Sequence, residues 1–236
     1  MSIGSNIASV RERIEAAARR RGGDAGEVAL MCVTKAQPSA AILEAYEAGA
    51  RLFGENRVQE FEKKREDLSA LAGAEFRLIG HLQSNKAVKA AQLFDAIDSL
   101  DSLRTAEKLN QACCGAGKVL PVLIEINTGA EAAKSGLGES SGELETLVQA
   151  IPIFENLVFR GLMTIPPYAP EPEAARVYFR ALRGLRDRIA ARSIAGSTWE
   201  TLSMGMSHDF EVAVEEGATC VRVGTAIFGE RCAGDD

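Results

Sequence analysis

The feature that most constrains the fold is a repeated pair of segments, a short apolar run and then a stretch with helical periodicity. Eight apolar runs occur, seven of them precede a helical stretch, and an amphipathic stretch at 5–21 comes before the first run. The units lie roughly 20–40 residues apart, which is typical of parallel strands joined by helices. Eight such units predict a single α/β domain, a closed (β/α)8 barrel of the TIM type with an extra N-terminal helix.

The predicted strands cover 28–35, 52–56, 76–80, 93–100, 120–127, 159–165, 201–206 and 220–228. The predicted helices cover 5–21, 39–48, 58–71, 102–113, 141–150, 173–192 and 208–217, and another begins near Ser84 or Asn85, either of which could be its N-cap. An open, doubly wound sheet is the alternative, but a G-x-G-x-x-G motif after the first strand and a P-loop are both absent. Because no linker, internal repeat or low-complexity tract is found, residues 1–236 are predicted to form one domain.

Composition narrows the class of protein. The 236 residues include 27 basic and 33 acidic side chains, and no basic run is dense enough to predict a nucleic-acid partner. The cysteines are Cys32, Cys113, Cys114, Cys220 and Cys232. Their odd number and the absence of a C-x-x-C motif indicate a reducing compartment. With no signal-peptide core and no apolar run near the roughly 20 residues that span a bilayer, we expect a cytoplasmic protein without a membrane partner.

A single lysine follows the first apolar run. Lys35 lies at the carboxyl end of the predicted first strand, where barrels of this type place their chemistry. A partly desolvated lysine amine has a lowered pKa and can attack a carbonyl carbon. The alternative is a lysine whose stem packs on the strand while its amine reaches water.

Glycine and hydroxyl residues follow the seventh and eighth strands. Gly205, Met206 and Ser207 end the seventh, while Gly224 and Thr225 lie in the eighth. The loops after these two strands are the usual phosphate site of the barrel, and backbone N–H groups and hydroxyls bind phosphate oxygens. The alternative is that the glycines only form tight turns. The coincidence of both motifs at these two strands favours a phosphate site.

Strand alternation places Arg222 on the opposite face from Val221 and Val223, inside the barrel. A buried guanidinium requires a partner. Glu125 in the fifth strand could be that partner, or the guanidinium could donate to a ligand such as a pyridine nitrogen. A lysine, a phosphate site and a buried arginine together suggest pyridoxal 5′-phosphate (PLP).

Other sites find little support in the sequence. His81 and His208 are the only histidines, which is too few for a predicted metal site. A G-x-S-x-G elbow is absent, so a serine hydrolase is unsupported. Glu55 could be a general base, although a solvated or salt-bridged carboxylate is the favoured interpretation.

Seven stretches resemble one known family, the pyridoxal-phosphate homeostasis proteins, which are similar to the N-terminal barrel of alanine racemase. They are VTKAQP (33–38), FGENRVQE (53–60), IGHLQSNK (79–86), KSG (134–136), RGLMTI (160–165), LSMGMS (202–207) and VRVGTAIFG (221–229). They span nearly the whole chain in order. Small departures are Ala36-Gln37 after the lysine and His208 at a position that is usually variable.

The resemblance implies a cofactor site. Lys35 would carry PLP as a Schiff base, and Arg222 would face the pyridine nitrogen. The phosphate would be held by Met206, Ser207, Gly224 and Thr225. Asn56 would lie near the ring or its 3′ oxygen.

The resemblance also implies a cytosolic protein that binds PLP and contributes to vitamin B6 homeostasis, with PLP-requiring apo-enzymes as possible recipients. We expect a monomer without substantial catalysis. An amino-acid racemase of weak or unusual specificity is the alternative, and a Schiff-base lyase without a cofactor is a remote one. A racemase needs a second acid/base group, usually a tyrosine from a further domain, which we do not expect in a chain that ends at Asp236. Of Tyr46, Tyr168 and Tyr178, only Tyr168 is predicted to be able to reach the barrel mouth. An arginine at the ring nitrogen also keeps that nitrogen unprotonated, which weakens the ring as an electron sink.

Overall fold

The computed structural model describes residues 2–131 and 134–230. Eight parallel strands form a closed barrel in chain order, and the last strand pairs with the first. The strands are β1 (Ala29–Val33), β2 (Leu52–Glu55), β3 (Glu75–Leu78), β4 (Ala96–Leu100), β5 (Leu120–Glu125), β6 (Leu157–Met163), β7 (Ser197–Ser203) and β8 (Cys220–Val223). The predicted (β/α)8 barrel is confirmed.

Helices surround the strands in the described part of the chain. They are α1 (Ile3–Arg21), α2 (Ser39–Glu47), α3 (Val58–Lys64), α4 (Ala87–Leu93), α5 (Leu103–Ala116), α6 (Gly142–Ala150), α7 (Arg176–Ala190), α8 (Phe210–Glu215) and α9 (Thr225–Phe228). The predicted N-terminal helix is present as α1, which packs on α2, α8 and α9 and so covers the seam where β8 meets β1. None of the described helices combines the length and the apolar character that a membrane-crossing segment needs.

The two faces of the strands pack in different surroundings. Cys32, Val221 and Val223 belong to the main core, which the strands share with the helices. Met31 and Val33 alternate with Cys32 and pack instead with other residues in a second, smaller cluster. Because successive side chains of a strand point to opposite faces, Met31 and Val33 face the barrel interior.

Free cysteines support the expectation of reduced thiols. Cys32 and Cys220 are buried, unbridged core residues, as expected. Burial raises the pKa of the Cys32 thiol to about 12, so this group is unreactive near neutrality. Cys113 is buried on α5 and Cys114 is exposed. Cys232 lies outside the described residues.

Several predicted boundaries are wrong. The helix predicted for 58–71 ends at Lys64, after which turns carry Leu68 into the core. The strand predicted for 220–228 ends at Val223, and α9 follows, with a hydrogen bond from the Ile227 N–H to the Gly224 carbonyl. The fourth strand begins at Ala96 rather than at 93, because α4 continues through Leu93.

The helix cap predicted after β3 is also wrong. Neither Ser84 nor Asn85 caps the helix after β3, because a short 3-10 turn at Ser84–Lys86 precedes α4 and neither element has a side-chain cap. By contrast, Ser102 does cap α5, since its Oγ accepts a hydrogen bond from the Thr105 N–H at 3.3 Å. A short polar residue near a predicted helix start is thus a candidate cap, but the residue at which the helix begins is known only from the structure.

Candidate functional site

A cavity of about 510 Å³ opens at the carboxyl ends of the strands. All seven residues predicted to bind the cofactor line it: Lys35, Asn56, Met206, Ser207, Arg222, Gly224 and Thr225. They follow or belong to four neighbouring strands of the closed barrel, β7, β8, β1 and β2. The fold therefore brings together residues up to 190 positions apart in the chain, from Lys35 to Thr225.

Lys35 lies in a tight turn just after β1, not within the strand as predicted. The Gln37 N–H donates to the Thr34 carbonyl at 3.0 Å, which leaves Lys35 and Ala36 as the central residues of the turn. Ala36 adopts a φ of 57°, the left-handed region that residues with a Cβ seldom occupy. The half-buried Lys35 side chain therefore extends from a turn whose backbone conformation is specific and, at Ala36, energetically costly.

A buried ion-pair network holds this turn from both sides. The Ala36 N–H donates to Oε1 of Glu60 at 2.6 Å, and Nζ of Lys64 donates to the Thr34 carbonyl at 3.1 Å. Nζ of Lys64 also lies 3.2 Å from Oε1 of Glu55 and 2.6 Å from Oε1 of Glu60. The network therefore bonds to the backbone on both sides of Lys35.

Glu55 is part of that network and not of the cavity wall. Its side chain is fully buried, and its Oε1 accepts a hydrogen bond from the Thr34 hydroxyl at 2.7 Å. Burial raises the pKa of Glu55, and the nearby Lys64 ammonium opposes that rise. The favoured interpretation of Glu55 as a salt-bridged carboxylate is confirmed.

Arg222 is buried in the cavity wall, on the barrel-interior face of β8 as predicted. Its Nη1 donates to Oγ of Ser203 and its Nη2 to the Thr164 carbonyl, both at 2.8 Å. Among the described residues no hydrogen bond or salt bridge joins Arg222 to Glu125, so of the two alternatives left open by the sequence the structural pair is not observed. Two of the five guanidinium N–H donors are used, which leaves donors for a ligand in the cavity.

The loops after β7 and β8 are joined through Ser207. Its Oγ accepts hydrogen bonds from the N–H groups of Gly224 at 3.3 Å and of Ala226 at 3.2 Å. Gly205 makes the preceding turn possible, because its φ is 92° and an added Cβ would lie 2.5 Å from Cβ of Ala213. These two loops and the exposed Thr225 form one polar edge of the cavity.

Sequence reasoning did not assign a site role to three residues on the other side of the cavity. They are His81 after β3, Glu125 at the end of β5 and Lys134 in the following loop. Nδ1 of His81 lies 2.7 Å from Oδ2 of Asp101. Position at the end of a predicted strand was the available signal for His81, whereas Glu125 lay inside the predicted fifth strand.

Glu125 has unusual surroundings. It is 6% exposed, and its Oε2 is buried without a hydrogen-bond partner among the described residues. Burial and, to a smaller extent, the nearby Asp101 raise the pKa of Glu125 to about 7, against the opposing effects of Arg222 and His81. This carboxyl group can therefore exchange a proton near neutral pH.

Tyrosines are absent from the described cavity wall. Tyr168, predicted to be able to reach the barrel mouth, is 82% exposed, and its ring centroid lies 5.6 Å from that of His208. It borders a smaller neighbouring cavity instead. The hydroxyl of Tyr46 donates to the Ala72 carbonyl, and Tyr178 lies on α7.

Among the described residues, no group of three His, Cys, Asp or Glu side chains could hold a metal ion.

Comparison with known proteins identifies relatives along almost the whole chain. Residues 5–232 match the family described as alanine racemase, N-terminal domain. The pyridoxal phosphate homeostasis protein of Aquifex aeolicus (strain VF5) is 43% identical over 232 residues, which cover 98% of this chain and 99% of that protein. The protein of the same name from Escherichia coli (strain K12) is 43% identical over 231 residues, 97% of each chain.

A solved structure agrees with these matches. PipY of Synechococcus elongatus PCC7942, determined with PLP bound, superposes with a TM-score of 0.84 at 34% identity. The superposition covers 97% of this chain and 100% of that one. The chain described here therefore belongs to the alanine racemase N-terminal domain family and, within it, to the pyridoxal phosphate homeostasis proteins.

Proposed function

We propose that this protein binds PLP in the cavity at the carboxyl end of the barrel and acts in vitamin B6 homeostasis. Lys35 holds the cofactor covalently, and the protein turns over no amino acid at a substantial rate. The observation that supports this most directly is that Lys35, the buried Arg222 and the polar edge with Ser207 and Thr225 all line one cavity. The bound PLP of the related PipY supports it independently.

The chemistry of the cavity matches that of PLP. Its volume of about 510 Å³ lies within the usual range for small-molecule sites, roughly 300–1,000 Å³. When bound, PLP supplies an aldehyde carbon that a lysine amine attacks, with loss of water. The chain offers an amine in Lys35, spare N–H donors in Arg222 for the ring nitrogen, and hydroxyl and backbone donors for the phosphate.

Each residue then has a separate task. Lys35 anchors the cofactor, and the turn that contains Ala36 fixes the backbone position from which the Lys35 side chain extends. Arg222 would donate to the ring nitrogen and so keep it unprotonated. Met206, Ser207, Gly224 and Thr225 would bind the phosphate, and Asn56 would lie near the ring or its 3′ oxygen.

The covalent anchor can be tested by absorbance. Purified protein is expected to be yellow, and Lys35→Ala is expected to lose the absorbance of the covalent link, because no amine remains at that position. Lys63→Ala, which removes an exposed lysine of α3, is the matched control and should keep the colour. A colourless wild-type protein that cannot be reconstituted with PLP would refute the proposal.

The phosphate site can be tested by affinity. Thr225→Val removes one hydroxyl donor at nearly constant volume, and we expect PLP to bind about 10- to 100-fold more weakly, as for a lost hydrogen bond to a charged group. Ser207→Ala also removes the acceptor that joins the two loops, so its effect should be at least as large. Unchanged affinity in both variants would contradict the phosphate assignment.

A racemase of weak or unusual specificity is the alternative function. The observation in its favour is the His81–Asp101 pair, since a carboxylate that orients an imidazole is a common acid/base arrangement. The part of the cavity wall that the structure describes contains no tyrosine of the kind a racemase would use. Turnover of any amino-acid enantiomer at about 1 per second or faster, within the usual range for enzymes, would establish the alternative.

The wider role follows from reversible anchoring. We propose that the protein works as a cytoplasmic monomer that supplies PLP to apo-enzymes that require it. Light scattering of the PLP-loaded protein tests the monomer. Mixing it with an apo-enzyme tests the transfer, because the recipient should gain activity faster than from the same concentration of free PLP.

A further inference from the structure

The cavity has two chemically different halves. The residues assigned to PLP follow or belong to β7, β8, β1 and β2, on one side of the closed barrel. The other half is formed by His81 after β3, Glu125 and Ile126 of the fifth unit, Lys134 and Ser135 in the following loop, and Ile165 after β6. The Lys134 ammonium is already bound, since it donates to the Pro166 carbonyl at 3.1 Å and pairs with Glu131. The proposed function assigns no task to this second half.

The second half contains a buried acceptor without a donor. Glu125 is more than nine-tenths buried, and its Oε2 has no hydrogen-bond partner in the described chain. A buried carboxyl group with an unsatisfied oxygen is costly, so it is expected to gain a partner when a ligand occupies the cavity. The same side chain lines the cavity, where a ligand meets the part of the carboxyl group that stays exposed.

Charge selects the kind of donor. The groups that act electrostatically on Glu125 are Asp101, Arg222 and His81. Neither Arg222 nor His81 forms a hydrogen bond with Glu125 in the described chain: Arg222 donates to Ser203 and Thr164, and His81 pairs with Asp101. A hydroxyl or amide ligand would satisfy one oxygen without compensating the carboxylate, whereas an ammonium group supplies both charge and several N–H donors. Ile126 and Ile165 offer apolar surface for the carbon stem of such a ligand.

We propose that this half of the cavity is a binding subsite for a primary ammonium group, which Glu125 holds by a charge-assisted hydrogen bond. The relevance of this subsite to PLP rests on the proposed function, because primary amines are the compounds that react with the carbonyl of the cofactor. The binding of ammonium itself requires only Glu125 and the cavity. The ligand could be a free amino acid or the lysine side chain of another protein, since both present the same group.

The test uses protein prepared without PLP and ethylammonium chloride as the probe, followed by ¹³C NMR of the Glu125 carboxyl carbon. Saturable binding is expected, and the pKa of Glu125 should fall from about 7 when the probe binds, because a neighbouring cation stabilises the carboxylate. Glu125→Gln keeps the volume and should weaken binding at least about tenfold. Sodium chloride at equal ionic strength controls for screening.

Glu143→Gln is the matched control variant, because it removes the same charge from an exposed position on α6. It should bind ethylammonium like the wild type. Glycine and Nα-acetyl-lysine amide then distinguish the two sources of the ammonium group. Binding of either probe with loss in Glu125→Gln supports the subsite and shows which source it accepts.

Absence of ethylammonium binding, or equal binding by wild type and Glu125→Gln, would overturn the subsite. Circular dichroism and thermal unfolding of Glu125→Gln without PLP show whether the variant folds. Failure of the Lys35→Ala experiment would instead refute the cofactor proposal and would leave the ammonium result unchanged. The two proposals can therefore fail separately.

Discussion

Replacing Lys64 by methionine should destabilise the protein strongly, because Lys64 is the cation of the buried network around Lys35. The Lys64 side chain is 12% exposed and Glu55 is 0% exposed, with 3.2 Å between Nζ and Oε1. Methionine preserves most of the volume but leaves the Glu55 carboxylate buried without its cation. Breaking a buried pair in this way costs about 3–5 kcal/mol of unfolding free energy. For a chain of this size, that corresponds to a fall in Tm of about 6–20 °C.

The loss should depend on pH in one direction. Burial already raises the pKa of Glu55, and removal of Lys64 raises it further. An acid whose pKa is higher in the folded state than in the unfolded state binds protons preferentially when folded. Stability therefore falls as pH rises from the unfolded pKa, about 4.3, toward the folded pKa. The difference between Lys64→Met and wild type should be small near pH 4.5 and largest near pH 8.

Chemical denaturation at several pH values measures this effect. Lys63→Met, at the exposed neighbouring position, is the control and should change the unfolding free energy by less than about 0.5 kcal/mol. The double variant Glu55→Gln/Lys64→Met should recover part of the loss, because no buried charge then remains. A loss below about 1 kcal/mol in Lys64→Met, or a loss equal at pH 5 and pH 8, would refute the assigned role of the network.

Two further sets of substitutions test the backbone and a helix cap. Gly161→Ala should cost more than about 4 kcal/mol or prevent folding, because φ is 153° and the new Cβ would lie 1.8 Å from the Thr201 carbonyl oxygen. Gly115→Ala, in α5 with nothing within 4 Å of the new Cβ, should instead stabilise by about 0.4–1 kcal/mol, and a loss of stability would contradict this. Ser102→Ala should cost about 1 kcal/mol, since the Thr105 N–H loses its acceptor, and thermal unfolding with an unchanged Tm would show that the cap is dispensable.

Local patterns were sufficient for much of the site. The apolar run that ends before Lys35 predicted a strand end, and the alternation around Arg222 predicted its inward direction. Both patterns depend on a period of two residues, which a strand imposes wherever it lies. Gly205 and Thr225 were recognisable because the seventh and eighth strands of a barrel have a known place for phosphate.

Boundaries were less predictable for a physical reason. The charged stretch at 58–71 has the composition of a long helix, yet α3 ends at Lys64 and turns follow, with Leu68 in the core. The end of β8 at Val223 has a visible cause, since the Gly224 N–H donates to Ser207 of the preceding unit. There a contact from another part of the fold outweighs local preference.

By itself the sequence determined the eight-unit barrel, the position of Lys35 next to a strand end and the buried arginine, since each depends on periodicity or on position relative to a strand. Only the tertiary structure determined which side chains in the site contact one another. Asp101 meets His81 across 20 residues, and Lys64 reaches Thr34 across 30, because neighbouring units bring their ends together at the barrel mouth. The buried Oε2 of Glu125 likewise could not be recognised from the sequence. Only the packed structure shows that no described residue donates a hydrogen bond to it.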